Sequence, residues 1–367
     1  MTDVAFVLGT RPEIIKLAPV IRACERFDVA YAIIHTGQHY SDTLDSVFFD
    51  QLELPTPDYN LGVGSSSHGE QTGEMLIGIE RCLVEADPQV VVVQGDTNSV
   101  LAGAIAASKT QAQLGHVEAG LRSFDRSMPE EINRIVADHV SDYLFAPTAQ
   151  NESCLLDEGI PAHRITVTGN TVVDALVRNR ELARQKSTVL ADLGVVDTDF
   201  FVMTAHRQEN VDDDGRFRDI LAGVERAARV HDAEVLYPVH PRARERIEAF
   251  GIDVPDPIRT IDPLGYLDFL RLSAAADLIL TDSGGVQEEA CILGVPCVTM
   301  RDTTERPETT EVGANRLSSS DPDRILATAT EMLGGSREWE NPFGDGNAAE
   351  RILQALPLET ELRGVAL

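Results

Sequence analysis

Short apolar segments alternate along the chain with longer stretches in which apolar residues recur every three or four positions. A short apolar run is typical of a strand buried on both faces, and the longer stretches predict amphipathic helices. This alternation predicts an α/β fold with parallel sheets, because each strand needs a crossover to return to the same edge. The predicted strands cover residues 4–8, 31–35, 90–94, 114–117, 143–146 and 165–168 in a first series, and 200–204, 234–238, 258–261, 277–280 and 296–300 in a second.

The two series divide the chain into two Rossmann-like halves. With 367 residues, the chain exceeds the size of one typical core and suits two domains. We predict a first domain at residues 1–170, a second at 171–345, and a helical segment at 346–367 that can pack back on the first. Ligands of open parallel sheets bind beyond the carboxyl ends of the strands, so two facing sheets would hold a ligand in the cleft between them.

Acidic residues strongly outnumber basic ones and give a formal net charge of -29. Such a chain is repelled by nucleic acids and anionic membranes, so we expect neither as a partner. Lysine occurs only as Lys16, Lys109 and Lys186. An acidic, lysine-poor composition is typical of proteins that stay soluble at high salt, which suggests a halophilic source.

Targeting and metal-binding signals are both weak in this sequence. No apolar run reaches the length that spans a bilayer, and Met1 leads to the first predicted strand without the basic region of an export signal, so we expect a cytoplasmic protein. The cysteines lack CxxC spacing, which predicts buried thiols in a reducing compartment and no metal site. The five cysteines are Cys24, Cys82, Cys154, Cys291 and Cys297.

A glycine turn follows the predicted strand at 277–280. Gly284 and Gly285 lack the Cβ atoms that would keep a ligand away from the backbone, and the free amides at a helix start, here after Ser283, favour a phosphate. Glu288 and Glu289 follow one turn later, where a carboxylate can accept a ribose hydroxyl. An ordinary strand-to-helix turn explains the glycines alone equally well, so other motifs must decide.

Charged side chains also follow three strands of the first half. Arg11 and Lys16 come after the first strand and bring cations to its carboxyl end, although helix capping plus surface charge is an alternative. Asp96 ends the strand at 90–94, where a helix N-cap is the simpler interpretation when it is taken alone. Glu118 follows the strand at 114–117 and has no helix to cap.

Two further motifs complete the set of candidate side chains. Glu130 and Arg134 are four residues apart at a helix start, which also fits an acidic first turn and a surface ion pair. His206 and Arg207 end the strand at 200–204 on the side where a ligand is expected, although a lone histidine is more often structural. Together, the cations suit a diphosphate, and the carboxylates suit the movement of a carbon-bound proton.

The ordered set of motifs resembles the non-hydrolysing UDP-N-acetylglucosamine 2-epimerases. That resemblance implies a GT-B architecture of two Rossmann domains with the active site between them, and usually a homodimer. It also implies that UDP-GlcNAc and UDP-ManNAc interconvert by elimination of UDP, which leaves 2-acetamidoglucal, and by re-addition of UDP. The reaction would need no nicotinamide cofactor or metal. Its product would supply ManNAc-type sugars for surface polysaccharide or glycoprotein glycans. The motifs are GTRPEIIKLAP, TGQH, QGDT, HVEAGLRS, PEEINR, TAHRQEN, TDSGGVQEEA and MRDTTERPE, from Gly9 to Glu308.

Roles carried over from the family fall on matching positions of this sequence. The resemblance implies that three carboxylates are acids or bases, with Glu131 less favoured than its neighbour Glu130, and that His206 stabilises the departing diphosphate. It leaves open which carboxylate serves which face of C2. The implied catalytic residues are Asp96, Glu118, Glu130, His206, Arg11, Lys16 and Arg134, and the implied substrate-binding residues are Gln38, Gln71, Arg207, Phe269 beside uracil, Ser283, Gly284 and Gly285 on phosphate oxygens, and Glu289 on the ribose.

The sequence departs from the family at an activator site. Several bacterial members bind a second UDP-GlcNAc there through a glutamine and an arginine in addition to a Gln-His pair. Gln38, His39 and His240 are kept, but Ser41 replaces the second glutamine and Glu70 the arginine. A carboxylate beside a diphosphate weakens binding, so we expect weak or absent substrate activation. A strongly sigmoidal rate curve in UDP-GlcNAc would contradict this expectation.

Three alternative functions remain open from the sequence. A hydrolysing 2-epimerase would release ManNAc and UDP. A GT-B glycosyltransferase would share the nucleotide site but would not need carboxylates clustered in the first half. A non-catalytic sensor of nucleotide sugars would bind without turnover.

Overall fold

The computed structural model of the chain describes residues 2–38 and 48–358. These residues form two compact units. The first comprises the described residues of Met1–Ala175 and of Phe343–Leu367, and the second is Leu176–Pro342. In the first unit, the late helix Ala348–Ala355 packs on the helix Arg11–Arg26, where Glu350 pairs with Arg26.

The first unit contains a seven-stranded sheet in which every pair of neighbouring strands is parallel. Its strand order is β3-β2-β1-β4-β5-β6-β7. The strands are β1 Val4–Leu8, β2 Tyr31–His35, β3 Tyr59–Asn60, β4 Val90–Gln94, β5 Gln113–Val117, β6 Tyr143–Ala146 and β7 Ile165–Val167. The helices are Arg11–Arg26, His68–Ala86, Asn98–Ala107, Pro129–Val140, Ala149–Asp157 and Ala348–Ala355, with a 3-10 turn at Ala162–Arg164. The helix Thr171–Lys186 begins in the first unit and ends in the second.

The second unit contains a six-stranded sheet, again with parallel neighbours, in the order β10-β9-β8-β11-β12-β13. The two wholly parallel sheets confirm the predicted fold class of two Rossmann-like domains. The strands are β8 Phe200–Thr204, β9 Glu234–Pro238, β10 Ile258–Ile261, β11 Leu278–Thr281, β12 Cys297–Thr299 and β13 Asn315–Leu317, and the helices are Val189–Leu193, Gln208–Val211, Asp214–Val230, Pro241–Ala249, Tyr266–Ser273, Gly284–Leu293, Pro307–Glu311 and Pro322–Gly334.

Each sheet is buried at its centre because its middle strands consist of apolar, often β-branched residues. All five residues of β1 and all of β4 are buried, and helices pack their apolar faces on both sides. Within the described residues, no helix is long and apolar enough to cross a bilayer.

The two sheets share one feature that places the candidate site residues. In each, the direction of strand addition reverses once, between β1 and β4 in the first unit and between β8 and β11 in the second. Ligands of open parallel sheets bind at the carboxyl ends of strands at this reversal. The turns there begin at Gly9 and Gly95 in the first unit and at Ala205 and Asp282 in the second.

Candidate active site

The turn after β1 is tightly built around Gly9. A Cβ atom at this position would collide with the hydroxyls of Thr36 and Ser99, so only glycine fits. The buried carboxylate of Glu13 accepts hydrogen bonds from the amides of Gly9 and Thr10, both at 2.7 Å, and from the Thr97 hydroxyl of the neighbouring turn. Burial raises the pKa of Glu13 to about 7, against those hydrogen bonds. Glu13 therefore joins the turns after β1 and β4.

Asp96 lies in the turn after β4 and does not cap the following helix. Thr97 fills the N-cap position instead, and its hydroxyl accepts from the amide of Val100. The side chain of Asp96 forms an ion pair with Arg134, and its carbonyl oxygen accepts a 2.8 Å hydrogen bond from Asn133. The carboxylate of Asp96 is thus held by the helix Pro129–Val140, while remaining partly accessible.

Glu118, which follows β5, is held in a specific and costly geometry. Its backbone has φ 69°, a left-handed conformation that is uncommon for a non-glycine residue. Both of its carboxylate oxygens lie 2.7 Å from Nζ of Lys16, and the side-chain amide of Gln94 donates to one of them. A Cβ atom built on Gly95 would lie 3.9 Å from Oε2 of Glu118. Glu118 and the turn of Asp96 are therefore neighbours.

Glu130 and Glu131, at the start of the helix Pro129–Val140, lie in different environments. Glu131 is buried, and it accepts hydrogen bonds from the amides of Ser123 and Phe124 at 2.9 and 3.0 Å. Arg134 pairs with Glu131 at 3.0 Å and with Asp96, not with Glu130 as the i,i+4 spacing suggested. Glu130 is exposed instead.

A cavity of about 320 Å³ opens beside these turns. Of the residues that the sequence indicated, it is lined by Asp96, Glu130 and Gln38. Arg134 does not line it but pairs with Asp96, which does, and Glu118 and Lys16 lie outside the lining, beside the turn of Asp96. Arg11 is exposed and lies over the ring of Phe48 at 5.8 Å. The lining residues are Thr10, Pro12, Gln38, His68, Asp96, Thr97, Asn98, Pro129, Glu130 and Asn133.

His68 lines this cavity and was not indicated by the sequence. Its Nδ1 lies 3.1 Å from Nδ2 of Asn98, an atom that can only donate, so Nδ1 is unprotonated. The same Asn98 amide donates to Gln71 at 2.8 Å, and Gln71 in turn donates to Gly64. The three-residue spacing of His68 and Gln71 on one helix face was the available signal, but no predicted strand end precedes them.

In the second unit, a buried carboxylate orients His206. Nδ1 of His206 lies 3.0 Å from Oδ1 of Asp282, whose other oxygen accepts from the amides of His206 and Arg207. Burial alone would raise the pKa of Asp282, but the hydrogen bonds and charge of His206 hold it below its usual value. The proton on Nδ1 thus points to Asp282, which leaves Nε2 for another partner.

Asp282 acquires this role through strand pairing. Thr281 of β11 lies beside Thr204 of β8, so the residues that follow the two strands meet. The sequence places Asp282 at a strand end but cannot show which strand is adjacent. His240 lies nearby, with its ring 5.5 Å from that of His206.

The helix Gly284–Leu293 begins with open space above its first turn. Its N-cap Ser283 makes no capping hydrogen bond with its side chain. Among the described residues, a Cβ atom on Gly285 would meet no atom within 4 Å, and one on Gly284 would approach Glu305 alone, at 3.7 Å. Phe269 and Glu289, predicted for uracil and ribose, are half-buried in the same unit.

Two arginines contact Glu305, the carboxylate beside this turn. Arg301, buried at 6% exposure, binds Glu305 at 2.7 and 2.9 Å, and Arg207 lies 3.8 Å from the same carboxylate. Burial opposes ionisation of Glu305, yet its hydrogen bonds and ion pair with Arg301 lower its pKa to about 2. Glu305 is therefore ionised, and its charge is balanced mainly by Arg301. Arg207 contacts it only at 3.8 Å and brings a further positive charge to the turn.

The residues predicted for the activator site are only partly described. His39 and Ser41 lie outside the described residues. Glu70 is exposed in the first turn of the helix His68–Ala86, where its amide donates to the N-cap Ser67.

A family model described as UDP-N-acetylglucosamine 2-epimerase matches residues 22–357. The chain is 52% identical over 358 residues to the UDP-N-acetylglucosamine 2-epimerase of Methanocaldococcus jannaschii, covering 96% of this chain and 98% of that protein. A crystal structure of the Methanocaldococcus jannaschii UDP-GlcNAc 2-epimerase in complex with UDP-GlcNAc and UDP aligns with a TM-score of 0.85 at 52% identity, over 96% of this chain and 99% of that chain.

A second relative has a different sugar in its name. The chain is 41% identical over 355 residues to the UDP-2,3-diacetamido-2,3-dideoxy-D-glucuronate 2-epimerase of Pseudomonas aeruginosa, covering 95% of this chain and 98% of that protein. The matches span nearly the whole chain and confirm the resemblance that the motifs indicated. The chain belongs to the UDP-N-acetylglucosamine 2-epimerase family of isomerases.

Proposed function

We propose that the protein interconverts UDP-GlcNAc and UDP-ManNAc without net hydrolysis, by anti elimination of UDP and re-addition. The observation that carries this proposal is that Asp96 and Glu130 line one cavity and that Glu118 lies beside the turn that carries Asp96. Arg134 pairs with Asp96, and Lys16 pairs with Glu118. Inversion at C2 requires a base on one face of the sugar and an acid on the other. A site with several carboxylates at neighbouring strand ends can supply both.

In the elimination step, a carboxylate takes the C2 proton while the C1–O bond breaks and its electron pair leaves with UDP. The product is 2-acetamidoglucal. In the reverse addition, UDP returns to C1 and a different carboxylate delivers a proton to the other face of C2. Lys16 and Arg134 support this chemistry because they hold Glu118 and Asp96 in place and limit the repulsion between the carboxylates.

We propose that the second unit binds the nucleotide. The open amides at the start of the helix Gly284–Leu293 favour phosphate oxygens, and Arg207 adds a positive charge. His206, oriented by Asp282, can donate from Nε2 to a diphosphate oxygen when doubly protonated. These groups stabilise the negative charge that grows on departing UDP.

Incubation of the purified protein with UDP-GlcNAc in deuterated water tests the proposal. We expect deuterium at C2 of both UDP-sugars in proton NMR spectra, with no build-up of free ManNAc. Free ManNAc with UDP would indicate the hydrolysing reaction, and absence of C2 exchange would indicate a glycosyltransferase or a sensor. UDP-2,3-diacetamido-2,3-dideoxy-D-glucuronate is the second substrate to assay, because a relative at 41% identity has it in its name.

Replacing Gly285 by alanine should separate binding from stability. The added methyl group meets no atom within 4 Å in the part of the chain that the structure describes, and alanine favours a helix over glycine by about 0.5–1 kcal/mol, so the melting temperature should stay equal or rise. If a phosphate approaches this backbone, the same methyl group should raise KM for UDP-GlcNAc about tenfold or more, equivalent to about 1.4 kcal/mol. The control is alanine at Gly194, which lies in a loop of the same unit with space around it but has φ 75°, so there only stability should fall.

The proposal includes the remaining expectations from the sequence. These are a cytoplasmic homodimer from a halophilic source that requires no nicotinamide cofactor or metal and supplies ManNAc-type sugars for surface glycans. The net charge of -29 supports the halophilic part. Sedimentation and activity measured over a range of salt concentrations test assembly and salt tolerance together.

A further inference from the structure

His116 is a fully buried residue of β5 to which the proposed chemistry assigns no part. Its Nδ1 lies 2.7 Å from Oδ1 of Asp138, and its Nε2 lies 2.9 Å from the carbonyl oxygen of Gly95. A carbonyl oxygen only accepts, and so does an ionised carboxylate. Both ring nitrogens must then donate, which makes His116 an imidazolium.

Further contacts of Asp138 keep that carboxylate ionised. Its second oxygen lies 2.7 Å from Arg122 and accepts from the amide of Gly120 at 3.2 Å. Arg122 is itself bound by Glu158 through two 2.7 Å hydrogen bonds. Positive and negative groups therefore alternate in the order His116, Asp138, Arg122 and Glu158. The attraction between neighbours offsets the free energy that is lost when these charges are buried.

The electrostatics agree with this geometry. Burial alone would lower the pKa of His116, but the charge and hydrogen bond of Asp138 raise it above the usual value, with smaller effects from Gly95 and Glu118. Burial would raise the pKa of Asp138, but His116 and Arg122 lower it. The charged groups around His116 and its partner are thus Asp138, Arg122 and Glu118.

This network ties together the three segments that carry the candidate acids and bases. His116 and Gly120 flank Glu118 on both sides, and Asp138 lies on the same helix as Glu130. Gly95, which precedes Asp96, is held at both polar atoms: its amide donates to Val117 at 3.1 Å and its carbonyl accepts from His116.

We propose that His116 is a positioning residue, an imidazolium that donates from both ring nitrogens and fixes the Gly95–Asp96 peptide relative to Glu118. This inference rests on the proposed function, since it concerns the spacing of two groups that must reach the same carbon atom. His116 does not line the cavity, so it acts through the residues that it holds. A histidine that merely filled the core would need only one proton, and the Gly95 carbonyl or Asp138 would then lose its donor.

The variants His116→Gln and Asp138→Asn test the positioning role. Glutamine can donate to one acceptor but cannot bridge both in the histidine geometry. A displacement of reacting groups by about 1 Å costs on the order of 10²-fold in rate, so we expect kcat to fall about 10²-fold with KM for UDP-GlcNAc little changed. His163→Gln is the matched control, because His163 is exposed in the same unit. A folded His116→Gln protein with wild-type kcat would overturn the inference.

A second measurement does not depend on activity or on stable variants. In ¹⁵N-resolved histidine spectra of the wild-type protein, His116 should show two protonated nitrogens at pH 7. A neutral ring at pH 7 would overturn the charge assignment. If the wild-type protein shows no C2 deuterium exchange, the proposed function falls, whereas the histidine spectrum still decides the charge of His116.

Discussion

Replacing Glu118 by glutamine should lower kcat for C2 deuterium exchange by about 10²–10⁴-fold, the range that a positioned acid or base contributes. The amide keeps the shape of the side chain but takes up no proton at neutral pH. KM for UDP-GlcNAc should change little, because the nucleotide contacts are proposed to lie in the second unit. Deuterium incorporation measured over a range of substrate concentrations separates the two parameters.

The same substitution also removes a charge beside Lys16, whose side chain is only 14% exposed. Breaking such a pair costs about 3–5 kcal/mol when it is fully buried, so thermal unfolding must accompany the kinetics. Glu80→Gln, at an exposed position of the helix His68–Ala86, is the matched control. A folded Glu118→Gln enzyme with wild-type turnover would exclude Glu118 from the chemistry.

The neighbouring carboxylates Glu130 and Glu131 should give opposite results when each is changed to glutamine. Glu130 lines the cavity and is exposed, so Glu130→Gln should lower kcat about 10²-fold or more and leave the melting temperature unchanged. Glu131→Gln should instead destabilise the fold by about 1–3 kcal/mol, because glutamine keeps only one acceptor oxygen and so cannot accept from the amides of both Ser123 and Phe124. It also removes the ion pair with Arg134. Equal loss of kcat without loss of stability in Glu131→Gln would contradict the assignment.

The stability effect at Glu131 has a defined pH dependence. Burial opposes its ionisation, but the hydrogen bonds from Ser123 and Arg134 lower its pKa below the usual 4.5. A lowered pKa means that the stabilisation is present at neutral pH and is lost as the pH falls through the lowered value. The difference in unfolding free energy between wild type and Glu131→Gln should therefore shrink in acid.

The sequence predicts the central strands well because their signal is local. The valines of β4 and the apolar run of β1 are continuous, and their strand-end motifs follow directly. It missed β3 and β13, which are two and three residues long and are rich in polar side chains, so no periodicity could develop. Their strand character comes from pairing with a neighbour.

For the candidate site residues, the sequence could not indicate the partners that the structure gives them. The pairing of Arg134 with Asp96, which lies 38 residues earlier, replaced the local pairing that helical spacing favours. Asp282 and the His116 network likewise depend on which strands are adjacent, and strand order is not encoded within any short segment. His68 was missed because its contact at the cavity is with Asn98, which lies on a different helix.

The repeated strand order has a consequence for redesign. The chain uses one topology twice, with carboxylates collected at the reversal point of the first sheet and amides with arginines at that of the second. Each half is encoded by its own set of turns, so the proposed hexose specificity and the proposed uridine binding can be engineered separately. Under this proposal, a library confined to the turns after β1 and β4 should yield isomerases for new sugars that bind the same nucleotide.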